Sequence, residues 1–89
     1  MRVILPTNAF LKQKKKLFKR GKDFSKMNAI VTLIQKDKPL PLSAYPHKLS
    51  GEWKGFWECH IEPDWLLIYD VTDDAVLLVG TGTHEDLLE

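Results

Sequence analysis

His47, His60 and His84 are the only imidazoles of the chain, and all three lie in its second half. Asp64 follows His60 by four residues, within the tetrapeptide Glu62-Pro63-Asp64-Trp65. Histidine is the side chain whose ordinary pKa, roughly 6.5, lets it both take and give a proton near neutral pH. A carboxylate accepting a bond from one ring nitrogen fixes the tautomer and raises the basicity of the other. Such a set can run general acid–base chemistry, worth about 10²–10⁴-fold for each well-placed group. Around an RNA phosphodiester, one group must take the 2′-OH proton and another must protonate the departing 5′-oxygen. The crowded phosphate between them needs electrostatic stabilisation.

His84, two residues after Gly82, is the candidate donor to the leaving oxygen. His60 is the candidate base or phosphate ligand, with Asp64 as its orienter or as the base itself. Asp64 suits an ordinary turn after Pro63 equally well. His47, following Tyr45-Pro46, is a second candidate base or phosphate contact, or else an exposed loop residue. Lys54, between Trp53 and Gly55, is either a phosphate contact or a solvated lysine. Trp65 can stack on a base, which contributes about 1–3 kcal/mol where it occurs, or pack in the core at the start of a strand. Trp53 and Trp57 read as structural. A zinc site built from the three histidines and Cys59 is disfavoured. No pair has ligand-like spacing, and Cys59 and His60 would point to opposite faces of a strand. The pattern calls for no metal and no cofactor.

Charge is distributed unevenly. Residues 1–38 carry eleven Lys and Arg against two acids, a net +9, whereas residues 39–89 carry two lysines against ten acids, a net −8. That asymmetry suits a polyanion or an acidic protein meeting the first half. Lys12, Lys15, Lys16 and Lys19 are the candidate footing on RNA, and a solvated helix face is the bland alternative.

The elements that must position these groups follow from hydrophobic spacing. Arg2 to Leu5 reads as a short strand stopped by Pro6. Thr7 or Asn8 can cap a helix whose stripe is Phe10, Leu11, Lys14, Leu17 and Phe18, with Gly21 as its stop. Asp23 can cap a second helix, with Met27, Ile30, Val31 and Ile34 facing the core and an end near Asp37. Residues 39–55 hold three prolines and two glycines and read as irregular, with a short strand around Lys48-Leu49. Strands over 56–61, 65–71 and 75–79 then form a meander. The last two are near-continuous apolar runs, as in strands covered on both sides. Thr83 and Asp86 have the spacing of a capping box for a short final helix beginning at His84. The fold class is α+β: a small antiparallel sheet, two N-terminal helices on one face and a short C-terminal helix.

The 89 residues suit a single domain spanning 1–89 with one core. No run approaches the roughly 18 apolar residues of a membrane span, and Met1 to Pro6 lacks a signal-peptide pattern. The single cysteine, Cys59, has no internal disulfide partner, which fits a reducing cytoplasm.

Three segments carry a resemblance: 47–55 (His-Lys-Leu-Ser-Gly-Glu-Trp-Lys-Gly), 58–69 (Glu-Cys-His-Ile-Glu-Pro-Asp-Trp-Leu-Leu-Ile-Tyr) and 80–84 (Gly-Thr-Gly-Thr-His). They resemble the YafQ branch of the RelE-like toxins, the endoribonuclease halves of type II toxin–antitoxin pairs, and the likeness extends over essentially the whole chain. It implies cleavage of mRNA, generally when held in the ribosomal A site beside the 16S rRNA. It also implies inhibition by a cognate antitoxin, with operator DNA reached only through that antitoxin. The family's active residues fall on His47, His60, Asp64 and His84, with Trp65 beside them. Two positions depart from the pattern. Position 88, where some members carry an aromatic residue against the RNA base, is Leu88, and Trp57 stands where some have arginine. A gyrase-poisoning or degenerate, non-cleaving binder is the alternative, and the set of histidines argues against the gyrase-directed branch.

Overall fold

Pro6 ends the first strand and Thr7 starts the first helix, so the chain turns within two residues. A computed structural model describes the backbone of residues 1–88 and the side chains of residues 1–87. β1 is Val3–Pro6 and α1 is Asn8–Lys19. The Thr7 hydroxyl accepts the Phe10 amide at 3.0 Å, satisfying one of the amides that a helix start leaves free. Gly21, at φ +85°, closes α1 as expected. Its amide donates to the Phe18 carbonyl and that of Lys22 to Leu17, the paired bonds of a Schellman stop. α2 is Ser25–Gln35, capped by Phe24 rather than by Asp23, whose side chain instead accepts the Ser25 amide.

Four further strands, β2 (His47–Lys48), β3 (Trp57–Glu62), β4 (Trp65–Val71) and β5 (Ala75–Gly82), complete the sheet, and α3 is His84–Leu88. The order is β1-β5-β4-β3-β2. The sheet is mixed, which corrects the expectation of an antiparallel one. The meander β3-β4-β5 and the β2 edge are antiparallel, but β1 pairs with β5 in parallel, Val3 opposite Ala75 and Pro6 opposite Leu78. A parallel pair needs a long crossover, here everything between β1 and β5.

β4 shows why its sequence is apolar at every step. Trp65 and Leu67 face the helices and pack with Phe10, Leu17, Met27, Ile30 and Ile34. Leu66 and Ile68 face the other way, against Leu87 of α3 and the half-buried Leu49, Trp53, Phe56 and Val79. Burying a side chain of this size stabilises the fold by about 1.5–3 kcal/mol, so both faces contribute. The predicted α1 stripe is broader than the real one. Phe10 and Leu17 are buried, but Leu11 and Phe18 are 48% and 70% exposed. α1 offers β5 only a narrow line, completed by Gln13, whose side-chain oxygen accepts the Thr81 amide at 3.0 Å.

Candidate active site

The β3–β4 turn and the start of α3 lie 20 residues apart in sequence and meet in space. Asp64 Oδ1 accepts the ring Nδ1–H of His84 at 2.7 Å and the backbone N–H of the same residue at 3.1 Å. The turn carboxylate therefore both caps α3 and orients its first side chain. These two bonds, the ring bond foremost, hold the Asp64 carboxyl below its ordinary range. With Nδ1 committed to Asp64, Nε2 is the nitrogen of His84 left for a substrate.

His60 joins this pair from β3. Its ring centre lies 5.7 Å from that of His84, and its Nδ1 is buried without a hydrogen-bond partner among the described residues. The sequence assigned Asp64 to His60, and the geometry corrects this: Asp64 orients His84. The register shift between His60 and Glu62 is the reason, because it re-aims the chain entering the turn.

The α3 start is braced from two sides. Thr83 Oγ1 accepts the Asp86 amide at 3.1 Å and Asp86 Oδ2 accepts the Thr83 amide at 3.0 Å, the capping box anticipated from their spacing. Arg20, just past α1, donates to the same Asp86 oxygen at 3.0 Å. Arg20 and the Thr83 amide together lower the Asp86 carboxyl from 3.8 to about 2. Gly82 is required here. A Cβ on it would stand 2.9 Å from the Asp86 Cβ and 3.1 Å from Oδ2.

His47 lies in β2, opposite Glu58. Its Nδ1 donates to the Tyr45 carbonyl at 3.0 Å, and its Nε2 faces Glu58 Oε1 at 3.3 Å. Glu58 is buried, and its other oxygen, Oε2, has no partner among the described residues. Both ring nitrogens of His47 are thus engaged, unlike those of His84. Glu58 was missed as a partner of the site. Its signal was the two-residue step to His60, which places both on one face of β3.

Trp65 is not available to a base. It is 1% exposed, meets Phe24 edge-on at 5.6 Å and donates Nε1–H to Thr81 Oγ1 at 2.9 Å. Core packing has taken the place of the stacking role. Lys54 is exposed at the end of the 3-10 turn Gly51–Trp53. Lys12, Lys15, Lys16 and Lys19 are spread along α1, and Lys16 and Arg20 border Thr81 and Asp86 at its C-terminal end. Lys22 and Lys26 were not singled out from sequence. They bind Glu62 at 2.9 and 3.2 Å, and Lys22 lies over the Trp65 ring. The base contact assigned to Leu88 falls outside the described side chains. No helix among the described residues is long and apolar enough to cross a membrane.

Comparison with known proteins places this arrangement in context. Residues 2–89 match the family model described as bacterial toxin of type II toxin-antitoxin system, YafQ. The chain is 46% identical over 70 residues to the mRNA interferase toxin YafQ of Escherichia coli K12, covering 78% of this chain and 76% of that protein. The crystal structure of YafQ from E. coli BL21(DE3) superposes with a TM-score of 0.93 at 38% identity, covering 100% of both chains. YafQ in the E. coli DinJ-YafQ toxin-antitoxin complex superposes with a TM-score of 0.90 at 39% identity, over 99% of this chain and 98% of that one.

Proposed function

The chain belongs to the YafQ family of type II toxin–antitoxin toxins, and on that premise we propose that it is an endoribonuclease cutting mRNA on the ribosome, held inactive by a cognate antitoxin protein. One observation carries the reading: His84 bonded to Asp64, with His60 5.7 Å away, three groups drawn from a strand, a turn and a helix start.

The chemistry assigned to them is transesterification. His60 takes the proton of the 2′-OH as that oxygen attacks the adjacent phosphorus. His84, its Nδ1 held by Asp64, hands a proton from Nε2 to the 5′-oxygen as the P–O5′ bond breaks. The products are a 2′,3′-cyclic phosphate and a 5′-hydroxyl, and no water is consumed. His47, anchored between Tyr45 and Glu58, serves the phosphate rather than the proton transfers. The lysines of α1 supply attraction to ribosomal RNA, which weakens with salt.

Primer extension on a translated message tests the proposal. Wild-type protein yields discrete cuts ending in a cyclic phosphate, and His84→Ala yields none. Growth arrest with an intact message, or tight antitoxin binding by a protein that leaves all RNA whole, overturns it in favour of a non-cleaving binder.

A further inference from the structure

Tyr45 is placed in a way that core packing does not explain. The residue is 66% exposed, although it sits beside His47, both of whose ring nitrogens are engaged. Its backbone is left-handed, at φ +43°, a conformation that side chains other than Gly, Asn and Asp rarely adopt. That twist does two things at once. It aims the Tyr45 carbonyl at His47 Nδ1, and it leaves the ring 5.1 Å from the His47 ring at 43°. The ring also borders an open groove of about 540 Å³ whose other walls include His60, Lys26, Ser43 and Pro63. Glu62 lines it too, but its two oxygens are taken by Lys26 and by Lys22 beside the groove, so this cluster of two lysines and one carboxylate sums to one positive charge. His60 belongs both to this groove and to the pair with His84. A strand crossing the catalytic groups therefore runs on into the groove.

We propose that Tyr45 is the base platform of this protein, stacking the nucleobase of the nucleotide that supplies the attacking 2′-OH, with Lys26 on the neighbouring phosphate. The inference rests on the endoribonuclease reading. The sequence at position 88 has no aromatic ring to offer a base, and Trp65 is buried, so an exposed ring facing the groove fills a need the rest of the site leaves open. The assignment of the nucleotide follows from the proton transfers: His60 serves the 2′-oxygen and lines the groove, while His84 serves the 5′-oxygen.

The test compares wild type, Tyr45→Asn and Tyr45→Phe on translated messages, with cut sites mapped and counted by primer extension. Asparagine tolerates the left-handed backbone, so the His47 contact is kept while the ring is removed. Tyr45→Asn is expected to cut about 5- to 150-fold less efficiently at low message concentration. Its preference for the base on the 5′ side of the cut should also flatten, and Tyr45→Phe should restore both. A folded Tyr45→Asn protein with wild-type efficiency and preference overturns the inference while the endoribonuclease reading stands. So does an equal loss at every sequence with the preference intact, which marks a displaced His47 instead. A wild type that cuts nothing overturns the function and the inference together.

Discussion

The Asp64 carboxylate accepts both the ring and the backbone N–H of His84 through a single oxygen, Oδ1. One atom thus fixes where α3 begins and which nitrogen of its first residue is free. Position and tautomer are set together, so disturbing either residue disturbs both.

His84→Ala and Asp64→Asn should each lower RNA cleavage by at least about 100-fold. Both groups are substantially exposed, so the sheet and core should stay folded, with only a small drop in the thermal unfolding temperature from the weakened α3 start. Primer extension measures the first effect and circular dichroism the second. Wild-type cleavage by either variant would remove the pair from the mechanism.

Acid should loosen α3 before it unfolds the sheet. Asp64 and Asp86 are both held below their ordinary values, Asp86 at about 2. Carboxylates depressed in this way stabilise the fold fully above the ordinary value of 3.8, and that contribution fades as pH falls from there toward about 2. Arg20→Ala should therefore be less stable than wild type near pH 6, with the gap closing as pH approaches 2. Urea unfolding across that range reads the difference, and a gap independent of pH would contradict it.

Gly82→Ala should cost about 1–3 kcal/mol of stability and most of the cleavage. The new methyl meets Asp86, which must leave the Thr83 amide and Arg20, and His84 moves with the helix start. Denaturant midpoint and cleavage rate should fall together.

Trp65→Phe separates the core from the substrate. Removing the bond to Thr81 should cost about 1–3 kcal/mol, seen in urea unfolding, while the bases preferred at the cut stay as they are. A changed base preference at unchanged stability would return Trp65 to the RNA.

Replacing Lys12, Lys15, Lys16 or Lys19 by alanine should reduce the salt dependence of ribosome or RNA binding. The log–log slope should fall by roughly one unit for each phosphate no longer neutralised. An unchanged slope in all four variants would confine these lysines to solvation.

Local signals were legible in the sequence and long-range ones were not. Thr7, Gly21 and the Thr83–Asp86 spacing announced their helix ends because capping is decided within a few residues. The apolar run of β4 announced burial on both faces, though not which layer covered which. The parallel place of β1 was hidden, since its partner lies some seventy residues away and a four-residue strand has no distinctive periodicity. At the site, the residue types were legible and the pairing was not. Asp64 stands near His60 in sequence, yet it serves His84, because a bulge decides the direction of the turn. Tyr45 gave no signal, since a left-handed tyrosine reads as any other loop residue until its backbone is seen.

The parallel ladder between β1 and β5 has a consequence for the birth of the molecule. A nascent chain presents its first strand early and must wait for β5 before that strand has a neighbour, so the slow, non-local step comes late in synthesis. The turn holding residue 64 and the helix holding residue 84 meet only when the antiparallel β4–β5 pair between them has cleared the exit. The pairing of His84 with Asp64 on which the proposed cleavage depends is thus absent from the nascent chain until these residues emerge.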